Sequence, residues 1–266
     1  MIRINLLLLC FLFLITSCGH AVIAEKTEPM PVITSVIEIV SETEAVEPAD
    51  PKFVYLTFDD GPNYTGTDKV LEILDSYGIK ATFFLIGEFA SYYPSKVRAM
   101  YAAGHVIGSH SYSHVYKDIY KSADSLMEDL KKWEETIEKI LGENLPYKLY
   151  RFPGGTKSGY LNRTLRPLIV EAVKNYGYTV FDWTMDTNDS ISVDLAEGQT
   201  IEDYIRESVI SDLAYTEKYK TLPKIVLMHD VKDHTANALG WIIEYLRDNG
   251  YSFGTLDQLE NGWNYQ

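Results

Sequence analysis

Residues 53–62 read Phe-Val-Tyr-Leu-Thr-Phe-Asp-Asp-Gly-Pro. The first six carry no charge and suit a buried strand, which Asp59, Asp60 and the Gly61-Pro62 breaker then end. The same unit recurs along the chain. Further short apolar runs lie at 82–86, 105–108, 149–152, 178–183, 225–228 and 251–255. Helix-period segments separate most of them. Segment 68–77 puts Val70, Leu71, Ile73 and Leu74 on one face, and 122–141 spaces Leu126, Leu130, Trp133, Ile137 and Ile140 by three or four residues. Segments 165–176, 201–213 and 235–249 repeat the theme, and Gly78, Gly104, Gly142, Gly177 and Gly250 stand as C-cap signals. Strands alternating with helices imply parallel strands and right-handed crossovers. Seven such runs predict an α/β fold, a closed or nearly closed βα barrel in a single domain.

Barrels of this kind keep their chemistry at the C-terminal ends of the strands. Polar residues follow the apolar runs here in just that way. Asp59 and Asp60 follow the first, His110 and His114 the third, and Arg151 the fourth; Asp182, Asp186 and Asp189 follow the fifth, and His229 and Asp230 the sixth.

Each group has an ordinary reading and a chemical one. Asp-Asp-Gly-Pro is a good turn. Two adjacent carboxylates can also divide their tasks, one on a cation and the other, kept ionised by it, on water or substrate. His110-Ser111-Tyr112-Ser113-His114 can be a solvated turn. On a helical turn, however, two imidazoles four residues apart share a face and can hold one metal ion. A carboxylate from a neighbouring strand would complete three protein ligands with open positions, the pattern of a catalytic metal. Zinc is the default, with cobalt, nickel, manganese and iron also compatible. Arg151-Phe152-Pro153-Gly154-Gly155 is a loop rich in breakers, or a guanidinium that orients a carboxylate beside a glycine N–H facing an oxyanion. His229 is either hydrogen-bonded at the barrel mouth or a general acid tuned by a carboxylate.

These segments, in this order, resemble the five motifs of the polysaccharide deacetylases, the NodB-homology group that forms carbohydrate esterase family four. They are Thr57-Phe-Asp-Asp-Gly-Pro62, His110-Ser-Tyr-Ser-His114, Arg151-Phe-Pro-Gly-Gly155, Asp186-Thr-Asn-Asp189 and Leu227-Met-His229. The resemblance covers residues 51–266. It implies a distorted (β/α)7 barrel and a divalent-metal-dependent deacetylase of N-acetylated glycans. By position, Asp60, His110 and His114 would bind the metal and Asp59 would be the base. Arg151 would orient Asp59, and His229 would be the acid with Asp189 tuning it, Asp182 and Asp186 being rivals. Gly154 would supply the oxyanion donor, and Leu227 would line the acetyl pocket.

Two departures affect the substrate groove. Gly154 stands where the third motif often has tyrosine, and Ser190 stands where the fourth often has tryptophan. A longer acidic connection carrying Asp194, Glu197, Glu202 and Asp203 follows. Tyr64, Tyr112, Tyr160 and Trp183 are candidates to stack on sugars, with burial the equal alternative. His105 reads as a packed structural residue and His234 as a polar cap.

Composition excludes several other classes. Of 266 residues, 46% are hydrophobic and 23% charged, which suits a globular chain. A net charge of −14 argues against nucleic acid as a partner. The two cysteines, Cys10 and Cys18, exclude a disulfide scaffold or a four-cysteine zinc module. Residues 6–15 are an unbroken apolar run behind Arg3, too short to span a bilayer comfortably. Ile15-Thr-Ser-Cys18 resembles the lipobox of bacterial lipoproteins. The organisation expected is a signal peptide 1–17, lipidation at Cys18, an acidic tether 18–50 and a catalytic domain 51–266; an ordinary cleaved signal or an uncleaved anchor are the alternatives. Segment 32–40 within the tether could form a strand or a docking segment. The protein is therefore expected to be extracytoplasmic, anchored to the cell membrane by lipid, and monomeric, with a glycan polymer as substrate, peptidoglycan first. An O-deacetylase of acetylated xylan and a non-catalytic glycan-binding lipoprotein are the competing readings.

Overall fold

The charge-free run after Lys52 folds as β1 (Lys52–Asp59) in the computed structural model, which describes residues 52–190, 194–259 and 261–264. The signal peptide, Cys18 and the tether expected from the sequence lie outside the described residues. After β1 come α1 (Gly66–Ser76), β2 (Thr82–Leu85), α2 (Gly87–Tyr92), α3 (Pro94–Ala102) and β3 (Val106–Ser109). Then follow α4 (Tyr116–Ile119), α5 (Ala123–Leu141), β4 (Leu149–Tyr150), α6 (Arg166–Asn175), β5 (Thr179–Val180) and β6 (Met185–Asp186). The chain closes with α7 (Ile201–Lys218), β7 (Lys224–His229), α8 (Asp233–Asp248) and β8 (Tyr251–Gly254).

All strand pairs are parallel, in the order β5-β4-β3-β2-β1-β7-β6, with β8 added to the start of β1. The sheet curls into a distorted (β/α)7 barrel whose seam lies between β5 and β6. There Phe181 bridges to Trp263 instead of to a neighbouring barrel strand. Register sets the rim. Asp59 is level with Phe84 of β2 and His229 of β7, and Ser109 is level with Tyr150.

The strand period of two sorts the side chains. Val54, Leu56 and Phe58 of β1, with Val226 and Met228 of β7, join the large cluster that packs against α1, α7 and α8. Tyr55 and Ile225, with Phe84, form a second cluster with Leu149 and Phe181. Each such buried side chain contributes roughly 1.5–3 kcal/mol. Thr57 and Asp59 share the inward face with Tyr55, so the rim of β1 is polar where its base is apolar. The long helix α5 is capped before its start by Ser122, whose hydroxyl accepts from Ser125 N–H, and after its end by Gly142 in the left-handed region (φ 81°). It buries Leu126, Leu130, Trp133 and Ile137. The Trp133 indole donates to the Leu85 carbonyl at 2.8 Å, which ties α5 to the end of β2.

The structure differs from the sequence pattern in several places. Two helices, α2 and α3, lie between β2 and β3 where no helix was expected. They are short because Pro94 opens α3 and separates it from α2. Helix α7 runs on to Lys218. The run 178–183 pairs only over Thr179–Val180, and the next two-residue strand, β6, pairs with β7 on the far side of the seam.

Candidate active site

Asp59 and Asp60 part company at the end of β1. Asp59 is still strand and points inward, 3% exposed. Its Oδ1 accepts from Arg151 Nη1 at 2.9 Å. Asp60 adopts φ 73°, in the left-handed region. Its Oδ1 lies 3.6 Å from His110 Nε2 and 3.4 Å from His114 Nε2 and is buried without a hydrogen-bond partner. The next residue must be glycine, because a Cβ at Gly61 would run into the Asp230 carboxylate. Asp230 is itself fully buried, accepts from Thr67 Oγ1 at 2.6 Å, and is pushed up to about 7, chiefly by burial.

His110 and His114 sit on a loop after β3, not on the helical turn expected from their spacing. Ser111 (φ 66°) and His114 (φ 55°) are both left-handed, which winds the loop tightly enough to bring the rings together, 5.1 Å between centroids. Asp129 of α5 fastens it, accepting from Tyr112 N–H at 2.5 Å and Ser113 N–H at 3.0 Å. Ser111 Oγ accepts from His114 N–H at 2.9 Å. His110 Nδ1 is 2.9 Å from the Arg151 carbonyl, an acceptor only, so Nδ1 carries the proton and Nε2 keeps its lone pair. Burial lowers His110 to about 3, so the ring is neutral.

The donor atoms of Asp60, His110 and His114 lie within 4.8 Å of one another. The two aspartate–imidazole separations are close to the edge of a tetrahedron, about 3.4 Å, built on bonds of about 2.1 Å. With an orphaned carboxylate oxygen and a neutral imidazole, these residues fit a divalent cation.

Arg151 is fully buried and spends every arm. Nη1 also reaches Thr57 Oγ1 at 2.7 Å, Nε reaches the Phe181 carbonyl at 3.2 Å, and Nη2 reaches the Asp182 carbonyl at 3.1 Å, with the plane over Phe84. Burial pushes the Asp59 carboxyl above its usual range, against the opposing Arg151 charge.

Across the mouth, His229 Nδ1 is 2.7 Å from Asp189 Oδ1, and its Nε2 is 3.9 Å from Asp60 Oδ2. Asp189 also accepts from His229 N–H at 2.8 Å and Thr235 Oγ1 at 2.5 Å. Burial opposes charge on both groups. The hydrogen bond and charge of Asp189 nonetheless raise His229 to about 9, and the bonds from His229 hold Asp189 below the usual carboxylate range. Of the rivals, Asp186 accepts from Trp183 and from Asn188 N–H, and Asp182 anchors Thr156 by its N–H and hydroxyl. His234 does not cap α8, whose N-cap is Lys232; it bonds the Asp189 carbonyl at 2.7 Å. Gly154 is exposed at φ 73°, and among the described residues none accepts its N–H. Leu227 is buried two residues before His229, on the same face of β7. The anchors Asp129, Thr57 and Thr235 were not anticipated; only Thr57, two residues before Asp59 on one strand face, carried a sequence signal.

A model of the polysaccharide deacetylase family matches residues 47–181. A peptidoglycan-N-acetylglucosamine deacetylase of Bacillus cereus is 32% identical over 88% of this chain and 85% of its own length. The chain belongs to the polysaccharide deacetylase family. A peptidoglycan-N-acetylmuramic acid deacetylase of Bacillus subtilis, PdaA, is 31% identical over 78% of the chain and 71% of its own length. The crystal structure of the catalytic domain of a peptidoglycan N-acetylglucosamine deacetylase from Eubacterium rectale superposes with a TM-score of 0.71 at 28% identity, covering 83% of this chain and 95% of that one. This polysaccharide deacetylase is therefore an enzyme of glycan deacetylation. Its Asp60–His110–His114 cluster and His229–Asp189 pair face one another at the barrel mouth.

Proposed function

We propose that this deacetylase hydrolyses the N-acetyl group of peptidoglycan N-acetylglucosamine, with a divalent cation, zinc first, held by Asp60, His110 and His114. The observation that carries this reading is the unpartnered Asp60 Oδ1 facing two imidazole nitrogens while Asp59, one residue away, is held by Arg151. The names of the relatives support the polymer; the donor set supports the cation.

A cation bound there would activate a water and polarise the amide carbonyl. Asp59 Oδ2, the oxygen that Arg151 leaves open, accepts the proton as the water oxygen bonds to the carbonyl carbon. The Gly154 N–H is the proposed donor to the oxyanion, a kind of donor whose loss costs about 10²–10³ in rate. His229, charged through Asp189, delivers a proton from Nε2 to the amide nitrogen as the carbon–nitrogen bond breaks. Acetate and a free amine leave. Leu227 is the proposed wall for the acetyl methyl.

The test is acetate release from purified peptidoglycan and from N-acetylglucosamine oligomers. Zinc supports release, a chelator stops it, and Asp60→Ala or His114→Ala abolishes both metal binding and turnover. Undiminished turnover by the stripped variants overturns the reading. Release from acetylated xylan alone moves the enzyme to O-deacetylation. Lipid anchoring at Cys18 is proposed from the N-terminal sequence. Metabolic labelling with a radioactive fatty acid tests it, and the label is lost in Cys18→Ser.

A further inference from the structure

Next to His114 the rim carries an aromatic pair outside the cluster just described. The Tyr116 ring, at the start of α4, stands edge-on to His114 with centroids 5.2 Å apart. Tyr160, from the loop between β4 and α6, stacks on Tyr116 at 4.3 Å and 21°. With that face covered, Tyr160 is still 69% exposed. The two rings, with His114, Val115 and Lys117, line an open hollow of about 630 Å³.

The pair is built in. Ser158 Oγ accepts from Tyr160 N–H at 3.2 Å, and Arg166 binds the Ser158 carbonyl at 3.2 Å, which hold the 158–160 loop. Tyr116 reaches toward Gly154: a Cβ there would sit 3.5 Å from the Tyr116 ring and 2.9 Å from Ser158 Oγ. Gly154 presents no side chain to the hollow, and Tyr116, at the start of α4, stands beside it. Two stacked rings beside the cluster make an apolar surface of the kind that ligand-binding grooves carry. Stacking one ring on another fixes it before the ligand arrives, which lowers the ordering cost of binding.

We infer that Tyr160, backed by Tyr116, is a sugar-stacking subsite that holds the glycan residue next to the one being deacetylated and makes longer chains better substrates. This rests on the deacetylase reading and deepens it. A pyranose ring presents a face of C–H groups that is apolar and matches an aromatic face, while its hydroxyls stay in water. His114 is shared between the cluster and the hollow, so one continuous chain reaches both.

The variants are Tyr160→Ala, Tyr160→Phe and Tyr160→Trp in the zinc-loaded full chain, assayed on N-acetylglucosamine dimers and pentamers. Tyr160→Ala raises KM for the pentamer about tenfold, with the loss falling on KM rather than kcat, and it shrinks the advantage of pentamer over dimer. Tyr160→Phe and Tyr160→Trp retain that advantage, because the ring face and not the hydroxyl makes the contact. Calorimetric titration of the pentamer into Asp59→Asn, with and without Tyr160→Ala, reads binding apart from turnover and shows the same tenfold loss. Wild-type KM and Kd in Tyr160→Ala overturn the subsite, as does a loss confined to kcat. Absence of acetate release from any oligomer by the wild-type chain overturns the deacetylase reading instead, and the titration still decides the subsite.

Discussion

Asp59 and Asp60 are the same residue type one peptide apart, and their neighbours give them different work. Asp59 ends a regular strand and is locked by Arg151, with burial raising its proton affinity toward that of a base. Asp60 turns left-handed and offers a bare oxygen to two imidazoles. Replacing Asp59 by Asn is expected to leave zinc stoichiometry intact while kcat falls about 10²–10⁴-fold, checked by metal analysis beside acetate release. At His229, Asp189 supplies both a hydrogen bond and a charge that favour the protonated ring. Asp189→Asn removes the charge, so the His229 value falls and the alkaline limb of the pH profile for kcat/KM moves to lower pH. An unmoved limb would assign the proton donor elsewhere. Residue types and spacing pointed to these groups. They did not separate Asp189 from Asp186 and Asp182, because three aspartates within eight residues differ only in which way the backbone turns each of them.

The histidine loop shows what elements add. Its spacing suggested a helical turn, but two left-handed residues and the Asp129 carboxylate shape it instead. Asp129 is the anchor because α5 lies against the loop after burying Leu126, Leu130, Trp133 and Ile137 and donating its indole to β2. Asp129→Ala is expected to weaken zinc binding about 10–100-fold with the three ligands untouched, measured by competition with a chromogenic chelator. The apolar period of α5 was readable along the chain. That a polar residue on it would hold a loop before it was not, since nothing local marks such a contact. Helices α2 and α3 leave no clear trace in the sequence for a related reason: each is too short for its period to stand out.

Across the whole molecule, the same parallel register that aligns the rim also buries His105 at the base of β3. Its Nδ1 accepts from Ala81 N–H at 3.1 Å and its ring meets Phe83 edge-on, so it folds as the neutral form. Burial, helped by Lys80, lowers it to about 4 from 6.5. The unfolded chain therefore binds this proton more readily, and stability is lost as pH falls from about 6.5 toward 4. His105→Gln keeps an acceptor and removes the titration, so its urea midpoint is expected to fall less steeply than the wild type over that window. Along the chain, the order of apolar runs and the polar residues behind them established the fold class and the candidate groups, because burial and strand alternation act over neighbours. Which side chains meet was settled by pairings far apart in sequence. Asp59 stands level with His229 through the β1–β7 register, and Arg151 reaches Asp59 from 92 residues away. A period of two says which face a residue takes; only the packed barrel says what it faces.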